Sequence, residues 1–223
     1  MRNSNYISII LAAGKGRRIK SKTPKVMLKI KKKPLILSAI ELAENFSNEI
    51  NVIVNKNLFY LKSKLKKKLN FFLQSKPLGT GHAVREFFNS QSFDKKNYFL
   101  ILYADTPFVK KTDLIKMKKK SKNLDIVILG FKTENNQGCG LIKINSFGYV
   151  KKIIEYKNSK KKDRNIDICN SGVMMMNYKA MKLLNKIKKN KLTKEFYLTD
   201  IIQIAKNKKL SVGLVISKSE IRS

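Results

Sequence analysis

Short apolar runs alternate with amphipathic segments over the first 131 residues, and this alternation constrains the fold more than any other feature of the chain. The runs lie at 7–13, 50–55, 70–74, 97–105 and 124–131 and are largely apolar, without polar alternation. Such runs are typical of strands that are buried on both faces of a sheet. Because helical patterns separate them, we predict an α/β fold with a doubly wound, mostly parallel sheet and helices on both faces.

The segments between these runs predict four helices. One begins at Pro34 and extends to residue 45, since proline is favoured in the first turn of a helix. A loop leads into another helix over 79–88. Lysine-rich sequences predict the remaining two, over 58–68 and 111–122.

After residue 131 the pattern changes, because strand-like segments follow one another with no long helix between them. They lie at 140–145, 149–157 and 168–177 and predict a small mixed β extension. Helical patterns return at 177–190 and 195–209, and a final strand is predicted at 210–217. Without internal repeats or linkers, residues 1–223 are interpreted as one domain.

The chain is strongly basic, with 49 Lys and Arg against 15 Asp and Glu and a net charge of +34. This charge attracts phosphates, nucleic acids and anionic surfaces alike. A nucleic-acid-binding protein is therefore one alternative, but no recognition motif is present and the lysines are not interleaved with aromatic residues. We interpret the charge as a solvated basic surface and expect no nucleic-acid partner.

No apolar run approaches the ~20 residues of a membrane span, and the first residues lead directly into a strand pattern without a signal peptide. We therefore expect a cytoplasmic protein with no membrane partner. Cys139 and Cys169 lie in no metal-binding motif, which suggests reduced structural thiols. His82, the only histidine, is interpreted as a helical packing residue.

Candidate ligand-binding residues follow the predicted strands, at the edge where open α/β sheets bind ligands. After the first strand comes Gly14-Lys15-Gly16-Arg17-Arg18, in which glycines allow backbone N–H groups to approach a phosphate and the cations could contact its oxygens. The sequence is neither a P-loop nor a dinucleotide fingerprint, and a plain solvated turn is the alternative. In the short loop that follows, Pro24 stiffens the backbone beside Lys25, a further candidate phosphate ligand.

Two later strands end in polar residues. Asp105 follows the fourth strand, and a carboxylate there in a phosphate-handling protein suggests Mg²⁺, with a turn or helix cap as the alternative. After the third strand, the amide of Gln74 and the turn at Gly79-Thr80 have the chemistry to contact the edge and face of a base.

Seven segments in order resemble the uridylyltransferase portion of the bifunctional N-acetylglucosamine-1-phosphate uridylyltransferase / glucosamine-1-phosphate acetyltransferase family. The segments are LAAGKGRRIKSKTPKVM (11–27), QSKPLGTGHAV (74–84), YADTPF (103–108), GCGLI (138–142), IIEYKN (153–158), CNSGVMMMN (169–177) and EFYLTDII (195–202). The resemblance implies a nucleotide-diphospho-sugar transferase fold. It also implies transfer of a uridylyl group from UTP to a sugar 1-phosphate, with Mg²⁺ as cofactor, in the synthesis of a cell-wall and lipopolysaccharide precursor.

The resemblance also implies roles for individual residues. The uracil and ribose would be surrounded by Leu11, Ala12, Ala13 and Gly14, and read by Gln74, Gly79 and Thr80. The phosphates would be held by the catalytic residues Lys15, Arg18 and Lys25, and Mg²⁺ by Asp105. The sugar would be bound by Tyr103, Ala104, Gly140, Glu155 and Asn170.

The sequence departs from the family pattern at three of these segments. Ala104 replaces a glycine, Leu141 an arginine and Tyr156 a histidine, so another sugar phosphate or nucleotide remains an alternative substrate. Residues 220–223 resemble the approach to an asparagine that completes the magnesium site in the family, and a non-catalytic remnant is a further alternative. Since no hexapeptide repeat is present, we expect the acetyltransferase β-helix to be absent and the protein to be a monomer.

Overall fold

The computed structural model describes residues 6–14, 23–65, 68–219 and 221. The strands are β1 (Tyr6–Leu11), β2 (Lys29–Ile30), β3 (Lys33–Pro34), β4 (Glu49–Val54), β5 (Asn70–Leu73), β6 (Tyr98–Tyr103), β7 (Ile126–Lys132), β8 (Gly140–Ile144), β9 (Val150–Glu155), β10 (Ile168–Asn177) and β11 (Val212–Ser217). The helices are α1 (Leu35–Glu44), α2 (Leu61–Lys64), α3 (Thr80–Asn89), α4 (Lys111–Ser121), α5 (Tyr178–Met181) and α6 (Ile201–Asn207).

The central sheet has the strand order β11-β7-β10-β6-β1-β4-β5. The four adjacent strands β6, β1, β4 and β5 are parallel to one another, and β11 is parallel to β7. The predicted α/β class with a mostly parallel sheet is confirmed. Strand β10 differs, because it lies inside the main sheet and is antiparallel to both β6 and β7.

The two faces of the sheet bury separate apolar layers, as the sequence predicts for strands covered on both sides. Alternate residues of β1 point to opposite faces. Ile10 packs in the layer that includes Ile36 of α1 and Leu114 of α4. Ile9 packs in the layer that includes Val84 of α3 and Ile201 of α6. Helices therefore cover both faces.

The predicted β extension exists, but in a smaller form. Strands β8 and β9 pair antiparallel with each other, and β8 attaches to the first residues of β10. The segment 168–177 belongs to the main sheet, because β10 pairs along it with β7 and β6 and its Met174, Met175 and Met176 are fully buried.

Three predicted helices are shorter or more irregular than the sequence suggests. Among the described residues of the segment predicted over 58–68, the only α-helix is α2, and Leu65 after it is extended. Its lysines repel one another at helical spacing, which weakens a longer helix. The segments 177–190 and 195–209 contain α5 and α6, each joined to a 3₁₀ turn. Within the described residues, no helix is long and apolar enough to cross a membrane.

Candidate nucleotide and sugar site

The carboxyl ends of β1, β4, β5 and β6 meet at one edge of the sheet. The Ala12 amide donates a hydrogen bond to the Ile53 carbonyl over 2.8 Å, and the Ala104 amide donates to the Leu11 carbonyl over 3.1 Å. The backbone amide of Gln74 donates in the same way to the Val54 carbonyl, over 2.8 Å. The predicted site residues that follow these strands therefore share the edge where open α/β sheets bind ligands.

Small residues line the end of β1. Ala12 and Ala13 are buried, whereas Gly14 is exposed, and a Cβ built on Gly14 would have no neighbour within 4 Å. The side-chain amide of Asn55, directly after β4, donates to the Ala13 carbonyl over 3.0 Å and fixes this turn. Two predicted phosphate ligands, Lys15 and Arg18, lie outside the described residues.

The predicted residues Lys25 and Asp105 form an ion pair, with 2.7 Å between Nζ and Oδ2. Lys25 begins a 3₁₀ turn after the extended Pro24, and Asp105 follows β6 directly. Their side chains are 20% and 23% exposed, so both are accessible from solvent. The predicted phosphate ligand and the predicted metal ligand are thus in contact at this edge.

The described residues contain no cluster of three or more His, Cys, Asp or Glu side chains that could hold a metal ion. Asp105 is a single carboxylate donor. One carboxylate fits Mg²⁺, because this ion is often bound through one or two carboxylates together with substrate phosphates and waters.

Tyr103 is the last residue of β6 and packs against the backbone of β10. A bulge between Asn170 and Val173 gives Gly172 a φ of +81°, and a Cβ there would lie 2.5 Å from Cδ2 of the Tyr103 ring. Burial, and then the charge of Glu155, raise the pKa of the Tyr103 phenol well above its ordinary value. The phenol therefore stays protonated, and its hydroxyl is hydrogen-bonded to Thr80.

Three predicted sugar-binding residues form one row across β9, β8 and β10. Gly140 pairs with Glu155 on one side and with Asn170 on the other. A Cβ on Gly140 would lie 3.4 Å from Cβ of Asn170 and 3.6 Å from Oε1 of Glu155. The nearest atom to this Cβ would be Cγ2 of Ile153, at 3.1 Å. The glycine therefore places no side chain between a carboxylate and an amide, two groups that are suited to bind the hydroxyl groups of a sugar.

The predicted base-reading residues are joined by hydrogen bonds. The buried Gln74 donates through Nε2 to the Gly79 carbonyl over 3.3 Å. Gly79 has a φ of +108°, and a Cβ there would lie 2.5 Å from the Phe196 carbonyl oxygen, so only glycine fits. Thr80 begins α3, accepts a hydrogen bond from the Leu198 amide over 3.1 Å and is a hydrogen-bond partner of Tyr103.

The three departures from the family pattern occupy ordinary structural positions. Ala104 is buried behind the sheet edge, and Leu141 is fully buried between Cys169 and Ile154 in neighbouring strands. Tyr156 lies under the guanidinium group of Arg164, 5.2 Å from the ring centroid. Leu141 therefore supplies packing where the family pattern has a charged donor.

Sequence reasoning missed three residues that support the site. Thr199 donates through Oγ1 to Oε1 of Glu155 over 2.8 Å and is itself buried. Gly172 allows the approach of Tyr103, and Asn55 fixes the turn at Ala13. Their signals in the sequence are weak: Thr199 lies in the quoted EFYLTDII segment, Gly172 interrupts a strand, and Asn55 follows one.

The fold, with a polar site at the carboxyl edge of its sheet, defines the class of nucleotidyltransferases. Within this class the chain belongs to the family of MobA-like NTP transferase domains, whose family model matches residues 8–164. The matched range includes the Lys25–Asp105 ion pair and two members of the row across β9, β8 and β10, Gly140 and Glu155.

Curated relatives are similar over nearly the whole chain. The bifunctional protein GlmU of Bartonella bacilliformis is 34% identical over 220 residues, which are 95% of this chain and 48% of that protein. The bifunctional protein GlmU of Fervidobacterium nodosum is 38% identical over 88% of this chain and 43% of its own length. The chain thus spans about half of the length of the curated relatives it matches.

Solved structures share the fold at lower identity. A UDP-glucose pyrophosphorylase in complex with UDP-glucose superimposes with a TM-score of 0.76 at 18% identity, over 95% of this chain and 90% of that one. The inositol-1-phosphate CTP transferase from T. maritima gives a TM-score of 0.74 at 17% identity, over 96% of this chain and 85% of that one.

Proposed function

We propose that this protein transfers a uridylyl group from UTP to N-acetylglucosamine 1-phosphate and releases pyrophosphate. The observation that carries the proposal is the convergence at one sheet edge of a cation, a carboxylate and a sugar-facing row: Lys25, Asp105, and Glu155-Gly140-Asn170. The similarity to the uridylyltransferase half of GlmU relatives supports this choice of nucleotide and sugar.

In the proposed complex the base and ribose contact the end of β1, where small residues leave room for them. Gln74, Gly79 and Thr80 contact the uracil. The sugar lies over Gly140, with its hydroxyl and acetamido groups in contact with Glu155 and Asn170. Thr199 holds the Glu155 carboxylate in orientation through its 2.8 Å hydrogen bond.

The reaction needs no general base, because the attacking oxygen of the sugar phosphate is already an anion at neutral pH. This oxygen forms a bond to the α-phosphorus of UTP while the bond to the bridging oxygen breaks, and the electron pair leaves with pyrophosphate. The protein contributes positioning and charge neutralisation. Lys25 stabilises negative charge on the phosphates as the bond breaks.

Asp105 would hold Mg²⁺ together with substrate phosphates, and the bound ion would supply further charge neutralisation. Before substrate binds, Lys25 neutralises the Asp105 carboxylate at 2.7 Å. When metal and phosphate arrive, each partner of this ion pair gains a new partner of opposite charge, so no charge at the site is left uncompensated.

A pyrophosphate-release assay tests the proposal. We expect pyrophosphate release with UTP, Mg²⁺ and N-acetylglucosamine 1-phosphate. The value of kcat/KM should be lower by about tenfold or more when glucose 1-phosphate replaces N-acetylglucosamine 1-phosphate, or when CTP replaces UTP. Faster turnover of another pair would reassign the substrate within the class. Absence of release from every nucleotide and sugar-phosphate pair by the folded protein would refute the proposed activity.

A further inference from the structure

The orientation of the Gln74 side chain is fixed by two contacts of one atom. Nε2 of Gln74 lies 3.3 Å from the carbonyl oxygen of Gly79 and 3.0 Å from Nδ1 of His82. A carbonyl oxygen only accepts hydrogen bonds, so the atom that faces it must be the amide nitrogen. His82 Nδ1 must then accept the second N–H, which puts the imidazole proton on Nε2.

The surroundings of His82 favour this neutral ring. Its side chain is 11% exposed, and the Phe196 ring lies 6.0 Å away, centroid to centroid. Burial lowers the pKa of His82, the charge of Glu86 opposes this change and the charge of Arg85 adds to it. Glu86 lies on the Nε2 side of the ring, with 3.9 Å between Nε2 and Oε1. An N–H at Nε2 therefore faces a carboxylate.

We propose that His82 is a positioning residue that sets the base specificity of the enzyme through Gln74. Because His82 and Gly79 hold the amide nitrogen, the group that Gln74 can offer to a base is the acceptor Oε1. Uracil carries a donor N3–H on its pairing edge, whereas cytosine carries an acceptor at N3, so an amide fixed in this orientation selects UTP over CTP. The inference rests on the proposed function, in which Gln74 contacts the base.

The tautomer of His82 is the first test and needs no substrate. His82 is the only histidine of the chain, so its side-chain resonances in a tag-free, ¹⁵N-labelled sample need no assignment by mutagenesis. We expect ¹⁵N–¹H correlation spectra near neutral pH to show a proton on Nε2 and an unprotonated Nδ1. A proton on Nδ1 would overturn the proposal, whatever the activity of the protein.

Two variants of His82 supply the second test. His82→Leu removes the acceptor, whereas His82→Asn keeps one, since the side-chain oxygen of asparagine can take the position of Nδ1. Equilibrium binding of UTP and CTP is measured alongside kcat and KM. We expect His82→Leu to lower the preference for UTP over CTP by about tenfold, through the nucleotide affinity and KM rather than kcat, and His82→Asn to restore most of it. An unchanged UTP-to-CTP ratio in His82→Leu would overturn the proposal.

A third test measures the pH dependence of nucleotide binding by the wild-type protein, so it can be made even if His82→Leu fails to fold. When the pH falls through the pKa of His82, which burial lowers below its ordinary value, the ring gains a proton on Nδ1 and can no longer accept from Gln74. The dissociation constant for UTP should then rise more than that for CTP. Equal pH dependence for both nucleotides would contradict the role of His82. Because the spectra and binding constants do not depend on turnover, failure of the proposed activity would be distinguished from failure of this inference.

Discussion

The ammonium nitrogen of Lys25 lies 2.7 Å from Oδ2 of Asp105, which joins the loop after β1 to the end of β6. Ion pairs between partly exposed side chains contribute little to stability. The location of this pair matters more than its energy, because it keeps together the cation proposed to bind phosphate and the carboxylate proposed to bind Mg²⁺. The two residues can be tested separately.

Replacement of Lys25 by alanine should lower kcat by more than about tenfold, because one charge contact to the transition state is lost. Steady-state kinetics of pyrophosphate release measures this effect. The matched control is Lys29→Ala, which removes an exposed lysine from the nearby β2 and should leave kcat unchanged. A folded Lys25→Ala protein with wild-type kcat would remove Lys25 from the mechanism.

Replacement of Asp105 by asparagine should raise the Mg²⁺ concentration needed for half-maximal activity by at least about tenfold, since even residues that only support a metal ligand affect affinity this strongly. Activity is measured over a titration of Mg²⁺ at saturating UTP. Asp94→Asn is the control, because Asp94 is exposed in the turn before β6. A titration that matches the wild type would exclude Asp105 as a metal ligand.

The main features of the fold could be predicted from the sequence because apolar runs report burial directly. The runs that became β1, β4 and β6 are visible without any structure. The central position of β10 could not be predicted, since composition does not show which strands become neighbours. This placement matters for the site. Because β10 runs opposite to β6 and β7, its first residues, including Asn170, lie at the edge where those two strands end.

The sequence indicates candidate residues where a residue type has few other uses at a strand end, as with Asp105 after β6. Lys25 and Asp105 were predicted separately, and their contact follows from the fold. Gly172 and Thr199 act through close packing and one hydrogen bond, and neither effect leaves a pattern in the sequence. The role proposed for His82 depends on which atom of Gln74 it contacts, which only coordinates reveal.

Replacement of Gly140 by alanine should raise KM for the sugar phosphate by about tenfold and leave KM for UTP nearly unchanged. The added methyl group would lie 3.1 Å from Cγ2 of Ile153 and 3.6 Å from Oε1 of Glu155, beside the carboxylate proposed to bind the sugar. Initial rates at varied concentrations of each substrate separate the two constants. If both KM values changed equally, this position would not be specific to the sugar.

Gly172 and Gly148 form a matched pair for the packing of Tyr103. Both glycines have positive φ angles, of +81° and +77°, so replacement by alanine strains the backbone equally, by about 1–2 kcal/mol. Only at Gly172 would the Cβ also collide with a ring, 2.5 Å from Cδ2 of Tyr103. Gly172→Ala should lower the free energy of unfolding by about 1–3 kcal/mol more than Gly148→Ala. Equal losses in urea denaturation would show that the ring moves away without cost.

Asp125 should make the stability of the protein depend on pH under acidic conditions. Burial alone would raise the pKa of this carboxyl, but hydrogen bonds from the backbone and hydroxyl of Ser211 and from Asn177 outweigh it and lower the pKa below its usual range. A lowered pKa in the folded state stabilises the protein above the unfolded-state value of about 3.9, and this contribution is lost as the pH falls through the folded-state value. The free energy of unfolding, measured in urea between about pH 7 and pH 3, should therefore fall less steeply in Asp125→Ala than in the wild type or in the exposed-site control Asp94→Ala. Parallel pH profiles for all three proteins would mean that these hydrogen bonds do not favour the charged carboxylate.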